Sequence, residues 1–99
     1  MAAELVIAPE AEQDIAEAYA WYEGRRAGLG EEFLSSVDAC LESIRRTPEM
    51  CPVLHEGYRR SLTRRFPYAV FYESTEREIT IYAVFHTARD ADKWRQRLW

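Results

Sequence analysis

The sequence predicts an α+β domain: an N-terminal strand, a helical hairpin packed on an antiparallel β-sheet, and a short C-terminal helix. Three observations predict this class. Apolar residues recur at helical spacing through residues 9–46. β-Branched and aromatic residues crowd residues 58–86, and a polar break of hairpin length divides that stretch at residues 74–77. With only 99 residues the chain can build one core, so we expect a single domain over residues 1–99.

The N-terminal strand is the apolar run Leu5-Val6-Ile7, and a helix follows it at Pro9. Proline loses no backbone donor at the first helical position, and carboxylates in the first turn interact favourably with the helix dipole. Glu10, Glu12 and Asp14 therefore indicate a helix N-terminus. We interpret them as solvated side chains rather than as a catalytic pair.

Two amphipathic helices are predicted, near residues 9–26 and 30–46, with a break from Gly24 to Gly30 between their apolar stripes. The second stripe has helical spacing and comprises Phe33, Leu34, Val37, Leu41 and Ile44. It stops at Arg45-Arg46-Thr47-Pro48, where basic residues favour a helix C-terminus and proline cannot continue the helix. The two helices therefore form a hairpin.

The second half of the chain is dominated by strand patterns. Residues 48–57 contain two prolines and are predicted to form a loop. The strands predicted after this loop cover residues 58–63, 69–72 and 79–85. A terminal helix is predicted over residues 90–98, with Asp90 as its N-cap.

Side-chain parity divides the last predicted strand into two faces. The more uniformly apolar face is expected to pack against the helices and comprises Ile79, Ile81, Ala83 and Phe85. The other face is expected to be partly open or covered by a partner, and comprises Thr80, Tyr82, Val84 and His86.

Composition and charge exclude several classes of protein. A formal net charge of −4 argues against a nucleic-acid-binding surface that works by bulk electrostatics. No apolar run approaches the roughly 20 residues that span a bilayer, and the start Met-Ala-Ala-Glu lacks the basic and apolar regions of an export signal, so we expect a cytoplasmic protein. Cys40 and Cys51 are then expected to be reduced, and we expect neither a metal site nor a cofactor.

Basic residues are concentrated before and after the predicted hairpin. The set comprises Arg59, Arg60, Arg64, Arg65, His86 and Arg89. If the strands pair in chain order, these side chains approach one sheet. Arginines clamp phosphates and a histidine can transfer a proton near neutral pH, so the set could cleave RNA without a metal. It could equally bind an acidic helix of a partner, or protect a strand edge by its charge.

Four spaced segments accompany the order of strand, helical hairpin and strands. They are Tyr58-Arg59-Arg60, Arg65-Phe66-Pro67-Tyr68, Val70-Phe71-Tyr72 and Ala83-Val84-Phe85-His86-Thr87-Ala88-Arg89-Asp90. Together they resemble the RelE/ParE family of bacterial toxins from type II toxin–antitoxin (plasmid-stabilisation) modules. The resemblance implies a RelE/ParE-like fold and a toxin neutralised by a cognate antitoxin, whose C-terminal segment wraps it, with a heterotetramer as one assembly of the two.

The family resemblance implies two kinds of target. RelE-like members cleave mRNA on the ribosome, whereas ParE-like members inhibit DNA gyrase without breaking a bond. The catalytic residues carried over for a nuclease are Arg59, Arg60, His86 and Arg89. Lys93 is the only lysine, and Ala91 stands where a proline commonly follows the aspartate. These departures and the acidic net charge favour the non-enzymatic, ParE-like function, with a RelE-like nuclease and a degenerate antitoxin-binding member as alternatives.

A binding role gives the same basic set a different task. No residue is then expected to be catalytic, and side chains of the sheet contact the antitoxin or the target. The residues expected on that surface are Arg59, Arg60, Arg64, Arg65, Tyr82, Val84, His86 and Arg89.

Overall fold

The computed structural model describes residues 3–98 and contains a five-stranded sheet with two long helices on one face. In chain order the elements are β1 (Glu4–Ile7), α1 (Pro9–Arg25), α2 (Leu29–Arg46), β2 (Val53–His55), β3 (Tyr58–Leu62), β4 (Tyr68–Ser74), β5 (Glu78–His86) and α3 (Lys93–Leu98). The strand order is β1-β5-β4-β3-β2. β1 pairs in parallel with β5, and the other neighbours are antiparallel. The predicted α+β class and helical hairpin are confirmed.

The helices form where the sequence pattern predicts them. α1 begins at Pro9 directly after β1, and α2 ends with basic residues in its last turn. Between the helices Gly28 has a φ of 89°, a left-handed conformation that glycine adopts without a Cβ clash. The Glu23 carboxylate accepts the backbone N–H groups of Gly28 and Gly30, and so satisfies donors at the start of α2.

Two elements differ from the sequence-based prediction. The predicted loop at residues 48–57 contains the edge strand β2, which pairs with β3 in an irregular register. Three residues are too few for a periodic pattern to reveal. α3 begins at Lys93 rather than at Asp90. The Asp90 carboxylate accepts the backbone N–H of His86 at 3.0 Å, and so closes the turn after β5 instead of capping a helix.

Apolar side chains form two clusters, one on each face of the sheet. The larger cluster lies between the sheet and the two long helices, and its members include Phe33, Val37, Tyr72, Ile79 and Ile81. The smaller cluster lies on the other face and comprises Ala69, Phe71, Ala83, Phe85 and Leu98, with Trp94 packed against it. α3 therefore covers part of the face that the helical hairpin leaves free.

A bulge in β5 overturns the predicted division of that strand into two faces. Phe71 pairs with Ala83 and the next residue, Tyr72, pairs with Ile81. Tyr82 is therefore an extra residue on the β5 side of the ladder. Side-chain parity reverses at this position.

The reversal exchanges the two faces beyond the bulge. Ala83 and Phe85 belong to the smaller cluster, and Val84 lies in the larger one with 2% of its surface exposed. The predictions that Ala83 and Phe85 pack on the helical hairpin, and that Val84 lies on an open face, are therefore wrong. Tyr82 does lie on the second face, half-buried and edge-on to Tyr58, with ring centroids 5.4 Å apart.

No helix within residues 3–98 has the length and hydropathy that crossing a membrane requires. Both cysteines are free thiols, with Cys40 buried and Cys51 half-buried. Burial raises the pKa of the Cys40 thiol, which donates to Ser61 Oγ at 3.4 Å. We therefore find a packing role for Cys40.

Candidate functional site

Arg59 and Arg60 are neighbours on β3 and therefore point to opposite faces of the sheet. Arg59 lies on the helical side, where its Nη1 donates to the backbone carbonyl oxygens of Cys51 and Glu49. These contacts anchor the segment between α2 and β2. Part of the Arg59 guanidinium is thus already engaged within the protein.

Arg60 lies on the face that α3 partly covers. It lines a small cleft together with Phe71, Phe85, His86 and Trp94. Its side chain is exposed, and no residue within 3–98 forms an ion pair or a hydrogen bond with it. Arg60 is therefore available to an anionic group of a partner.

Arg64 and Arg65 lie in the turn between β3 and β4. The Arg65 guanidinium forms an ion pair with Glu32 of α2 and lies 5.0 Å from the centroid of the Phe66 ring. Hydrogen bonding from Arg65 lowers the pKa of the Glu32 carboxyl. The backbone carbonyl of Arg64 accepts a hydrogen bond from Ser36 Oγ at 2.5 Å. The turn is thus tied to α2 at two points.

His86 ends β5, and its ring organises the turn that follows. The backbone N–H groups of Ala88 and Arg89 donate to its Nδ1 atom at 3.1 and 2.9 Å. Nδ1 is the acceptor in both hydrogen bonds, which leaves Nε2 as the other ring nitrogen that a partner could contact. The ring also lies edge-on to Tyr68, with centroids 5.3 Å apart. These contacts give His86 a structural role.

Arg89 points toward α1 rather than toward the sheet face that holds Arg60. Its Nη2 donates to the Tyr68 hydroxyl at 3.0 Å, and its guanidinium lies 5.5 Å from the centroid of the Trp21 ring. The Arg25 guanidinium, one helical turn beyond Trp21, lies 4.2 Å from the same centroid. Burial raises the pKa of Tyr68 to about 12, so its hydroxyl remains protonated at neutral pH.

Asp14 corrects the prediction that the first-helix carboxylates are solvated. Its side chain is only 10% exposed, and it accepts the backbone N–H of Val84 at 3.0 Å. It also binds the Arg97 guanidinium of α3. Helical spacing indicates this burial, because Asp14 lies three residues after Ala11 and four before Ala18, both of which are buried.

The structure does not bring the predicted basic set to one face of the sheet. Arg59 lies on the helical side, Arg60 on the α3 side and Arg89 beside α1. Parity within β3 separates the first two, and the turn after His86 directs the third. Trp21 and its arginine partners were not among the predicted site residues, although the i, i+4 spacing of Trp21 and Arg25 on a helix is visible in the sequence.

Within the described residues, no group of three His, Cys, Asp or Glu side chains could hold a metal ion.

The Tyr82 hydroxyl donates to Glu73 at 3.4 Å, so this half-buried tyrosine also has an internal partner. The arrangement therefore offers exposed arginines and aromatic side chains for binding.

Comparison with known proteins gives two matches. The sequence profile of the family described as "ParE toxin of type II toxin-antitoxin system, parDE" matches residues 5–91. A solved structure described as "Chromosomal ParDE TA system from P. aeruginosa" has a TM-score of 0.64 at 19% sequence identity, over 85% of this chain and 95% of that chain. At that identity the likeness concerns the fold. No curated protein sequence matches the chain.

Proposed function

The chain belongs to the ParE family of toxins from type II toxin–antitoxin systems, and on that premise we propose that it stops growth by binding DNA gyrase and that a cognate antitoxin holds it inactive. The observation that carries this choice of target is the dispersal of the arginine and histidine set. A metal-independent nuclease needs its cations and its proton donor around one phosphate. Arg59 and Arg60 instead lie on opposite faces of the sheet, and Arg89 is held by the Tyr68 hydroxyl and the Trp21 ring rather than beside Arg60.

The internal contacts of this set also favour binding over phosphate chemistry. Arg59 holds the segment before β2 through backbone carbonyls, and His86 holds the turn after β5 through Nδ1. Arg89 donates to a buried tyrosine hydroxyl. A net charge of −4 would add a repulsive term on ribosomal RNA. Gyrase and newly made antitoxin are both cytoplasmic, so we propose that the toxin acts there.

We assign the antitoxin to the edge of the sheet formed by β2 and β3. β2 leaves one row of backbone groups unpaired, which an extended peptide segment could use. Exposed apolar side chains accompany this edge: Met50 at 67%, Val53 at 52%, Leu54 at 38% and Leu62 at 60%. Arg60 could pair with an acidic antitoxin residue, whereas Arg59 and Arg65 already have internal partners.

Two assays on the purified chain test the proposed function. The chain separated from its antitoxin is expected to inhibit supercoiling by gyrase and to leave mRNA on the ribosome uncut. The product of the adjacent gene is expected to bind the chain and to reverse the inhibition. If induced expression stops growth while gyrase is unaffected, the assignment to gyrase is wrong.

RNA cleavage is the second candidate, and one observation favours it. Arg60 and His86 line the same small cleft beside Trp94, so a cation and an imidazole do lie near each other there. Cuts in ribosome-bound mRNA that vanish in both Arg60→Ala and His86→Ala would support that function. A chain that binds the antitoxin, leaves gyrase and mRNA unaffected and does not stop growth would be a degenerate member of the family.

A further inference from the structure

Trp21, Arg25 and Arg89 form an exposed group that we call the indole patch. Trp21 is 43% exposed, whereas the next residue of α1, Tyr22, is buried in the core. Both guanidinium groups lie over its ring, at 4.2 and 5.5 Å from the centroid. Arg25 lies over the Trp21 ring because it follows Trp21 by one helical turn. Arg89 belongs to the turn after β5 and contacts the ring from there.

No carboxylate within residues 3–98 forms an ion pair with either arginine of the indole patch. Four other arginines do form ion pairs: Arg26, Arg46, Arg65 and Arg97. The chain has 17 acidic and 13 basic residues, so a shortage of carboxylates does not explain the difference. Glu17 lines the adjacent cleft, yet its carboxylate accepts from Gln13 at 2.9 Å instead.

An exposed indole between two unpaired guanidinium groups suits an anionic protein surface. Arginine binds carboxylates through two parallel N–H groups, and a stacked guanidinium is already oriented before it binds. Tryptophan and arginine are also the residues that most often dominate the free energy of a protein interface. We infer that the indole patch binds an acidic surface of the toxin's protein target, an inference that rests on the proposed function.

Charge around the patch favours a protein over a nucleic acid. The cleft beside Trp21 is also lined by Asp14, Glu17 and Asp90, of which Asp90 and Asp14 form ion pairs with Lys93 and Arg97. The patch thus presents two arginines beside a cleft of mixed charge, which are too few to follow a polyanionic backbone but enough to pair with a few carboxylates of a protein surface. The patch also lies apart from the proposed antitoxin edge, since α1 packs against β5 and two strands separate β5 from β2.

Two variants with one matched control test the inference. Trp21→Ala removes the platform, and Arg25→Glu reverses a charge in the last turn of α1. Arg45→Glu is the control, because Arg45 is likewise exposed in the last turn of α2. We expect the concentration for half-maximal gyrase inhibition to rise at least about tenfold in the first two variants and to stay near the unchanged value in the control. Antitoxin affinity should stay within about threefold in all three.

Each outcome of this experiment decides for or against the indole patch. If the unmodified chain inhibits gyrase and both patch variants inhibit it equally well, the patch inference is wrong while the proposed function stands. If the unmodified chain stops growth without affecting gyrase, the proposed function is wrong. The patch inference is then tested by whether the two patch variants still stop growth. Loss of arrest in both supports the patch on another protein target, whereas retained arrest overturns it.

Two further measurements complete the design. Thermal unfolding of each variant shows whether it is folded, and Arg25→Glu keeps the test valid should Trp21→Ala unfold. Binding of labelled RNA or duplex DNA by the unmodified chain, lost in both patch variants but kept in Arg45→Glu, would assign the patch to nucleic acid and overturn the inference. An unmodified chain that fails to stop growth would overturn it as well.

Discussion

The Asp14 carboxylate of α1 holds the Arg97 guanidinium of α3 through two contacts, at 2.6 and 3.2 Å. One oxygen of the same carboxylate accepts the Val84 N–H of β5, and Arg97 also donates to the Tyr82 carbonyl at 3.3 Å. A single ion pair therefore joins α1, β5 and α3. Burial raises the pKa of Asp14 despite the hydrogen bond from Arg97, so the ionised carboxylate depends on its partner for compensation.

Removing the cation is expected to cost more stability than neutralising the carboxylate. Arg97→Leu leaves a nearly buried carboxylate without its ion-pair partner, and we expect a loss of about 2–3 kcal/mol in the free energy of unfolding. Asp14→Asn keeps an acceptor for the Val84 N–H and should cost about 1 kcal/mol. Urea unfolding at neutral pH measures both. The reverse order would contradict this account, and adding Asp14→Asn to Arg97→Leu should recover part of the loss.

Asp14 and Asp90 should affect stability with opposite dependence on pH. The raised pKa of Asp14 means that its contribution is fullest below the unfolded value near 3.9 and is lost as pH rises through the folded value. Burial alone would raise the pKa of Asp90, but the His86 N–H and Lys93 together lower it. Its contribution is therefore present above about pH 3.9 and is lost as pH falls through the folded value.

The comparison of Asp14→Asn with Asp90→Asn across pH 3 to 7 tests this opposition. We expect the stability difference from the unmodified chain to shrink with rising pH for Asp14→Asn and to grow for Asp90→Asn. Urea midpoints at several pH values within the folded range suffice, with each variant as the control for the other. Parallel pH profiles would contradict a raised pKa for Asp14 together with a lowered pKa for Asp90.

The helices and the fold class could be predicted because long periodic patterns average over many residues. The predicted helices at residues 9–26 and 30–46 agree with α1 and α2 to within one residue at each end. The faces of β5 could not be predicted beyond Ile81, because one extra residue at Tyr82 reverses parity and no local sequence signal distinguishes it from a regular strand.

The site was less predictable than the fold because its contacts link distant parts of the chain. Arg89 and Trp21 meet only once the turn after β5 packs against α1, and Asp14 and Arg97 are 83 positions apart. Sequence spacing identified basic residues of the right kind. It could not tell which of them, such as Arg59, would be engaged by backbone carbonyls within the fold.

Alanine substitution at Gly24 and at Gly30 should change the stability of the protein in opposite directions. A Cβ at Gly24 meets nothing within 4 Å, so Gly24→Ala should stabilise the end of α1 by about 0.5 kcal/mol through helix propensity. A Cβ at Gly30 would lie 2.8 Å from Tyr19 Cε2 and 2.9 Å from Glu23 Oε1. Gly30→Ala should therefore cost about 1–2 kcal/mol, since relief would displace the carboxylate that caps α2. Thermal unfolding of both variants measures the difference, and equal shifts would contradict the close packing at Gly30.

His86 offers a test that separates a structural role from a catalytic one. Asparagine can place its side-chain oxygen near the position of Nδ1 and accept the N–H groups of Ala88 and Arg89, but it cannot transfer a proton as imidazole does. We therefore expect His86→Asn to keep both the fold and nearly full growth arrest. His86→Ala loses both hydrogen bonds and should be about 1 kcal/mol less stable, with toxicity retained where it is folded.

A catalytic His86 would give a different pattern in the same two variants. General acid–base catalysis would be lost in both, so toxicity and any mRNA cleavage should fall by roughly a hundredfold or more whether or not the turn is intact. Growth arrest at matched soluble protein levels, measured beside thermal unfolding, distinguishes the two cases. A folded His86→Asn variant that no longer stops growth would show that His86 acts in catalysis, through Nε2, and not only in supporting the turn. Arrest that follows stability alone would establish that this histidine acts by positioning the chain around Arg89.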